Sequence, residues 1–289
     1  MLKFTRMVAF AAVFLIVDQA HAGKEIISSY VEAAPTIDGV ADEAIWAKAR
    51  PSISHDPVAK IDITIKSVHT KDSIYFQVMF PDKTEGRTHK TMVWAPEQER
   101  YRTDVDREDT FVFKWSMEPN SVDLSVAADN SYNADIWFWK ANRTDPTGYA
   151  DDKMHRYSAM PNPDSKTVLS KLGMRFYLTR PGDSGKAAYK TKVYDRYVGE
   201  RQPKYSHNLP QGSRADIQAK GVWRDGWWTI EFARKLATGH PDDIQFDKDR
   251  RYEFGVSRYE IAGRRKNAKL AEPNYGAGDV GELLVLRFN

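Results

Sequence analysis

The 289-residue sequence contains no cysteine. Without thiols the chain cannot form disulfide bonds, and it cannot supply thiolate ligands to zinc or to an iron–sulfur cluster. The absence also excludes the C-x-x-C-H motif, which attaches haem covalently. An exported protein without disulfides has to rely on its hydrophobic core for stability.

The sequence also lacks an excess of charge of one sign. Its 43 lysines and arginines nearly balance its 40 aspartates and glutamates, which gives a formal net charge of +3. A balance this even gives no argument for binding to nucleic acid or to an anionic membrane surface.

No hydrophobic run reaches the roughly 20 residues that a transmembrane helix needs. The run Met7 to Val17 is shorter, follows the basic residues Lys3 and Arg6, and precedes the small-x-small sequence Ala20-His21-Ala22. This order is typical of a secretory signal peptide. We therefore expect a cleaved signal in residues 1–22 and a single periplasmic domain in residues 23–289.

Motifs for catalysis by side chains are missing as well. The sequence has no G-x-S-x-G elbow and no H-E-x-x-H metal motif. Apart from His89 and His155, the histidines after the signal segment are predicted to lie at the surface or in turns; they are His55, His69, His207 and His240. The adjacent aspartates Asp151-Asp152 and Asp242-Asp243 are predicted to be turn or capping residues. We expect a protein that is not an enzyme.

Alternation of apolar and polar residues is the main structural signal in the chain. It predicts strands around Ile61–Ile65, Ile74–Phe80, Phe111–Trp115 and Trp228–Phe232. One short helix is predicted at residues 43–48, with Asp42 as its N-cap and Trp46 at one end of the core. Such a pattern indicates an all-β, immunoglobulin-like or jelly-roll β-sandwich with long loops and few short helices.

Two long segments lack this alternation. Residues 82–109 are charged and are predicted to be irregular. Residues 142–220 are rich in Pro, Gly, Asp, Lys and Arg, and are predicted to be a loop-dominated insertion with short strands only near Met174–Leu178. A loop of that length usually covers a site or is mobile.

The strand predicted at Ile136–Trp139 is apolar on both faces and ends at Lys140. A strand that is apolar on both faces is normally central in its sheet. The ordinary interpretation of Lys140 is a cation that reaches solvent from the strand end. A buried lysine is the alternative, and it could serve as a metal ligand.

The residue inventory suits a non-covalent haem, which requires an aromatic slot, axial ligands and cations for its propionates. A lysine can ligate iron only when it is deprotonated, which at pH 7 costs about 4.6 kcal/mol from the reference pKa. Burial lowers that cost because it lowers the pKa of a lysine. The possible axial ligands are Met92, Met117, Met154, His89, His155 and a deprotonated lysine. Among the lysines, Lys140 is the one that is placed for this role.

Several blocks of the sequence resemble the haem-binding domain family of ethylbenzene dehydrogenase and of related dimethylsulfide- and chlorate-type molybdoenzymes. The blocks are PTIDGVADEAIWAKA (35–49), RTHKTMVW (87–94), ADIWFWKANRTDPTGYADD (134–152), GWWTIEFARKLATGHPDDIQF (226–246) and YEFGV (252–256). The resemblance implies a β-sandwich that holds one haem b, ligated in the enzyme complexes by a methionine and a lysine. It also implies electron transfer with a molybdoenzyme catalytic subunit or a multihaem cytochrome as partner.

Matching the family motifs residue by residue makes Lys140 and Met92 the predicted iron ligands, with His89 and His155 as substitutes. The resemblance implies that Trp137 and Trp139 line the haem slot. The predicted propionate partners are Arg87, Arg143 and Arg234, although the ordinary interpretation of each one is a surface cation in a helix or turn.

The sequence departs from the family pattern in two places. Phe138 stands where many members have histidine, and residues 264–279, with Lys266 and Lys269, replace a segment in which relatives often carry His and Ser. Either difference could change the ligation of iron or remove haem binding.

Two alternatives to a haem protein remain. The first is a carbohydrate-binding sandwich, whose families share the opening I-D-G…D-E…W pattern, with Trp46, Trp94, Trp137 and Trp139 as stacking platforms. The second is an interaction module without either ligand.

Overall fold

In the computed structural model, residues 23–57, 59–258 and 280–289 are described. The predicted signal segment 1–22 and the divergent segment 264–279, with Lys266 and Lys269, lie outside these ranges.

The described chain is almost entirely β-structure, and its helices are short 3₁₀ turns. These turns span Ala44–Lys48, Pro96–Gln98, Asp145–Thr147 and Gly212–Ala215. The strands are β1 (Lys24–Tyr30), β2 (Ser52–Asp56), β3 (Ile61–His69), β4 (Ser73–Pro81), β5 (Met92–Ala95), β6 (Arg100–Thr103), β7 (Thr110–Ser116), β8 (Tyr132–Lys140), β9 (Asp151–Ser158), β10 (Lys166–Leu169), β11 (Arg175–Thr179), β12 (Tyr189–Thr191), β13 (Arg201–Gln202), β14 (Tyr205–His207), β15 (Gln218–Arg224), β16 (Trp227–Lys235), β17 (Tyr252–Arg258) and β18 (Leu284–Phe288).

One long sheet folds over on itself to form the sandwich. Its strand order is β10-β11-β9-β8-β7-β17-β18-β1-β3-β4-β16-β15, with β2 paired to β3. The two halves face each other across an aromatic core. Phe76 on β4, for example, lies 4.9 Å from the ring of Phe113 on β7 and 5.9 Å from that of Trp137 on β8. This arrangement confirms the predicted all-β sandwich.

The alternating patterns correspond to real strands. The first two predicted strands pair as the antiparallel β3–β4 hairpin, and Trp228, Ile230 and Phe232 all point into the core from β16. The short helix is present at residues 44–48, and Trp46 is buried. Asp42 does not cap it, because the N-cap position is Glu43, which makes no capping hydrogen bond through its side chain.

The two segments predicted to be irregular contain strands. Residues 82–109 include β5 and β6, which form a small sheet with β13. Residues 151–179 add β9, β11 and β10 to the main sheet. Strand β11 confirms the strand predicted near Met174–Leu178. The others were missed because their composition is polar and much of their outer surface is exposed or bonded to other polar groups.

Strand β8 lies between β7 and β9, as expected for a central strand. Trp137 and Trp139 point into the core, whereas Phe138 and Lys140 point to the outer face of the same sheet. Asp151 and Asp152 on β9 divide in the same way, with Asp152 opposite Trp137 and Asp151 opposite Phe138. The two faces of β8 and β9 therefore carry two different sets of polar groups.

None of the helices in the described ranges is long and apolar enough to cross a membrane.

Candidate functional site

Lys140 is the last residue of β8 and points to the outer face of the sheet, but it is buried, with 2% of its surface exposed. Its Nζ donates a hydrogen bond to Oδ2 of Asp151 and a second, 3.2 Å long, to the hydroxyl of Tyr189. The ring centre of Phe138 lies 4.2 Å from Nζ, and that of Tyr189 lies 5.0 Å away. The interpretation of Lys140 as a solvent-reaching cation is therefore wrong, because later parts of the chain cover the strand end.

A tight turn ends the strand at this lysine. The backbone N–H of Lys140 donates to Oγ1 of Thr144 at 3.0 Å, and the backbone N–H of Thr144 donates to the carbonyl of Lys140 at 3.1 Å. Gly148 then takes a positive φ of 77°, which glycine adopts without steric cost. The turn returns the chain to β9, where Asp151 meets the lysine.

Burial lowers the pKa of Lys140 to about 8, although the nearby Asp151 carboxylate opposes the shift. Burial alone would raise the pKa of Asp151. The positive charges of Lys140, Lys153 and Arg214 outweigh that effect and hold its pKa below the ordinary value. The site therefore keeps a carboxylate charged and brings the pKa of an amine to within about one unit of physiological pH.

A second group of charges centres on Glu108, which is completely buried. Its carboxylate accepts hydrogen bonds from the backbone N–H groups of Asn142 and Arg143, at 2.7 and 2.9 Å, and from Nε of Arg143. Nδ1 of His89 lies 3.3 Å from Oε1 of Glu108. Burial and the neighbouring cations, Arg143 foremost, lower the pKa of His89 to about 2, so its imidazole is neutral.

Two tyrosines join these groups. The rings of Tyr189 and Tyr205 lie 5.5 Å apart, and the guanidinium of Arg143 lies over both, at 5.3 and 5.5 Å. The ring of Tyr205 is 5.8 Å from that of His89. The structure thus brings Lys140, His89 and Arg143 together, and we call these three residues with Glu108, Asp151, Tyr189 and Tyr205 the Lys140 cluster.

Four members of this cluster were not anticipated from the sequence. Asp151 sits in a doublet that resembles a turn but lies in a strand. Tyr189 and Tyr205 come from β12 and β14. No local sequence pattern predicts the contact of Tyr189 with Lys140, which lies 49 positions earlier. Glu108 lies in the segment predicted to be irregular, just before β7.

Trp137 and Trp139 lie on the core face of β8, not on the face that carries Lys140. The indole N–H of Trp139 donates to Oδ1 of Asp145 at 2.9 Å. Arg87 donates to the other oxygen of Asp145 at 2.7 Å and is more exposed than Arg143.

The prediction that Arg234 is a surface cation is wrong. Its guanidinium is completely buried and pairs with Asp135 at 2.7 Å.

Met92 and His155 are not members of the Lys140 cluster. Met92 is half-buried on β5, where its sulfur is 3.8 Å from Oγ1 of Thr103. His155 faces Ala134 on β8, so six strand residues, or about 20 Å, separate its position from that of Lys140. Nδ1 of His155 is buried and has no hydrogen-bond partner among the described residues.

Three of the four predicted carbohydrate platforms are buried. Trp46, Trp137 and Trp139 are at most 2% exposed and cannot stack on a sugar from solvent. Trp94 is half-buried and packs edge-on against Tyr101 and Tyr197, at 5.1 and 5.3 Å. Trp137 and Trp139 are buried because alternation in a two-layer sandwich directs every second residue of β8 into the core.

Other polar residues also differ from expectation. His69 is buried between the rings of Tyr30 and Phe288, and is not a surface residue. Asp151, Asp152 and Asp243 are buried as well, and the first two are strand residues.

An open cleft of about 680 Å³ lies near the Ser116 end of β7. Its lining includes Met117, one of the possible axial ligands, together with Glu118, Arg251 and Tyr252, and does not include Lys140, Met92, His89 or His155. Thr110, at the opposite end of β7, is the residue that pairs with Lys140. The cleft and the Lys140 cluster are therefore at opposite ends of the strand.

Comparison with solved structures returns carbohydrate-binding modules of low similarity. A family 9 module from Caldicellulosiruptor kristjanssonii in complex with glucose is 11% identical, with a TM-score of 0.41 over 92% of this chain and 96% of that one. The cellotriose complex of a family 9 module from the same organism is 12% identical, with a TM-score of 0.40 over 92% and 95% of the two chains.

A search of curated proteins gave no match. A family model described as ethylbenzene dehydrogenase matches residues 43–269. This span contains the β8 strand and every member of the Lys140 cluster. Because the match covers well over half of the chain, the protein belongs to the ethylbenzene dehydrogenase family.

Proposed function

We propose that this protein is an exported b-type haem protein that transfers single electrons, with the amine of Lys140 as one axial ligand of the iron. The observation that carries the proposal is the burial of Lys140, which lowers its pKa to about 8. At pH 7 such an amine is neutral in roughly one molecule in ten, compared with about one in 2,500 for an ordinary lysine. Deprotonation for coordination is therefore much less costly here.

The donor set around Lys140 fits a haem. His89 is buried and neutral, as a metal-binding imidazole must be. Arg143 and the more exposed Arg87 supply guanidinium groups of the kind that bind carboxylates such as propionates. When bound, a b haem supplies reversible one-electron chemistry at its iron. The chain would hold the amine in place, keep water from it and pair with the propionates.

Met92 and His89 are the two candidates for the second ligand. The family resemblance favours Met92. The position of His89 favours the histidine, because it shares Glu108 with Arg143 inside the Lys140 cluster.

Haem binding at Lys140 requires the cluster to open. Tyr189 covers the amine through its hydroxyl and its ring, and it belongs to the small β12–β14 hairpin. That hairpin pairs with no strand of the main sheet in the described chain. We infer that it moves aside to admit the ligand and then covers it, which would give the long 142–220 segment a role at the pocket.

The proposed partner is a molybdoenzyme catalytic subunit or a multihaem cytochrome, as the family membership suggests, and the proposed location is the periplasm. No catalytic role is proposed for the side chains. A carbohydrate-binding function has weaker support, because three of its four candidate tryptophans are buried.

The test is the absorption spectrum of protein purified from a haem-replete host or reconstituted with haem. We expect a sharp Soret band that shifts on reduction with dithionite. If no band forms after reconstitution, the proposal fails. The variants Met92→Ala and His89→Ala identify the second ligand, since loss of a thioether and loss of an imidazole alter the near-infrared bands of the ferric form differently.

A further inference from the structure

Four aspartates from distant parts of the chain meet on the core side of β8 and β9. Asp135 lies on β8, Asp152 on β9, Asp183 after β11, and Asp243 between β16 and β17. Carboxylate oxygens of Asp135, Asp152 and Asp243 all lie within 4.8 Å of one another. Asp183 donates its backbone N–H to the carbonyl of Asp152 at 3.3 Å, and its carboxyl group lies beside that of Asp152.

Most of the oxygens in this cluster have no hydrogen-bond donor. Oδ1 of Asp135 and both carboxylate oxygens of Asp152, Asp183 and Asp243 are buried and unpartnered in the described chain. Asp152 is completely buried, so solvent does not supply the missing donors. Buried polar atoms in native proteins are nearly always hydrogen-bonded. Seven buried oxygens without a hydrogen-bond partner, all in this group of four aspartates, therefore require a ligand or protons.

The protein provides too little positive charge for four carboxylates. Arg234 donates to Oδ2 of Asp135, which also accepts the backbone N–H of Ile244 at 3.1 Å. Another nearby cation, Arg214, donates to Asp151 instead. Burial, together with the charge of Asp135, raises the pKa of Asp183 to about 6 and that of Asp243 to about 7. Without a further cation, the cluster must take up protons near neutral pH.

The chemistry and size of the cluster indicate which cation fits. Its donors are oxygens only, which suits a hard divalent cation and not a soft transition metal. Oxygens that lie no more than 4.8 Å apart can all contact one ion at the calcium–oxygen distance of roughly 2.4 Å. Mg²⁺ normally keeps several of its waters, whereas this site is enclosed and rich in carboxylates.

We propose that Asp135, Asp152, Asp183 and Asp243 form a structural Ca²⁺ site. The ion would bind β8 and β9 to the segments that carry Asp183 and Asp243. Because the unfolded chain cannot gather these residues, binding would stabilise the folded state by mass action. A neighbouring group of Asp216, His240 and Asp243 is a weaker candidate, because His240 and Asp216 already pair with each other.

The first experiment is a titration of the haem-free protein with CaCl₂ after treatment with EDTA. Isothermal titration calorimetry should show one Ca²⁺ per chain, and the midpoint of thermal unfolding should rise with Ca²⁺ concentration. MgCl₂ at equal concentration should raise it less. The absence of both the binding heat and the thermal shift with Ca²⁺ overturns the proposal, whether or not the protein binds haem.

Variants test the assignment of residues. Asp152→Asn should abolish the Ca²⁺-dependent shift while melting at or above the wild-type temperature in EDTA, because it removes one repelling charge. Asp243→Asn should weaken Ca²⁺ binding at least about tenfold. Asp249→Asn, an exposed aspartate outside the cluster, is the control and should bind as the wild type does. If Asp152→Asn binds Ca²⁺ with the same affinity as the wild type, the proposed site is wrong.

Discussion

The ammonium of Lys140 donates a hydrogen bond to the carboxylate of Asp151, and both side chains are at most 2% exposed. This pair connects the end of β8 to the start of β9 on the outer face of the sheet. A buried ion pair is costly to desolvate and adds little net stability, so this pair contributes little to folding by itself.

The low pKa of Lys140 has a measurable consequence for stability. Its folded-state value of about 8 lies below the unfolded value of 10.5, so the unfolded chain binds more protons between these pH values. The free energy of unfolding should therefore rise by about 3 kcal/mol from this residue as pH increases from 8 to 10.5. Urea denaturation of wild type and Lys140→Met across this range measures the difference, since the variant lacks the rise. If the free energy of unfolding depends on pH in the same way in the two proteins, Lys140 has an ordinary pKa.

The Arg234–Asp135 pair joins the two halves of the sandwich, since Arg234 lies on β16 and Asp135 on β8. Both side chains are fully buried. Arg234→Met should lower the free energy of unfolding by about 3–5 kcal/mol, because it leaves a buried carboxylate without its partner. The matched control is Arg287→Met, which removes an exposed pair with Glu25 at 3.5 Å and should change it by less than about 1 kcal/mol. Urea denaturation in EDTA gives both free energies of unfolding. Equal losses of stability in the two variants would contradict a special role for the buried Arg234–Asp135 pair.

Glu231 anchors the N-terminal segment to the outer face of β16. Its carboxylate accepts the indole N–H of Trp46 at 2.9 Å and the backbone N–H groups of Gly39 and Asp38 at 2.8 and 3.1 Å. Glu231→Ala should destabilise the protein by about 3–5 kcal/mol, since it leaves three donors without an acceptor. Glu231→Gln keeps one acceptor oxygen and should lose less. Urea denaturation followed by tryptophan fluorescence would refute the role if the two variants were equally stable.

Gly221 permits the close approach of β15 to Trp139. A Cβ at this position would lie 2.5 Å from the indole ring, which cannot move easily within the core. Gly221→Ala should therefore cost about 1–3 kcal/mol. In the double variant with Trp139→Phe the smaller ring leaves room for the methyl group, so the cost of the alanine should fall. A double-mutant cycle by urea denaturation tests this, and strict additivity would show that the two residues do not interact.

The sequence predicts the sandwich because its core strands follow a simple rule. Ile74, Phe76, Val78 and Phe80 recur at every second position along β4 and enter the core, and Trp228, Ile230 and Phe232 do so along β16. The face that enters the core is a local property of such strands, and the pattern predicts it directly. Trp46 was predicted from the short helix to lie at one end of the core, and it is buried.

The candidate site was predicted only in part. Lys140 was recognised as unusual because a cation follows a strand that is apolar on both faces. Its burial depends on Tyr189, and the charge of its partner Asp151 depends on Arg214. Both Tyr189 and Arg214 lie much later in the sequence than Lys140. Asp151 and Asp152 resemble a turn because two adjacent aspartates rarely lie in a buried strand. Only the fold shows that each faces a different set of charges.

The most direct test of the proposed function is a haem titration of wild type and Lys140→Met, followed by absorption spectroscopy between pH 6 and pH 9. Lys235→Met, which removes an exposed lysine at the end of β16, is the control. Coordination by Lys140 releases a proton below its pKa, so the wild-type affinity should rise up to about tenfold per pH unit until about pH 8 and then level off. We predict that Lys140→Met loses this pH dependence and has an altered Soret band, while Lys235→Met behaves as wild type. Unchanged affinity, pH dependence and spectrum in Lys140→Met would contradict the assignment of Lys140 as an iron ligand.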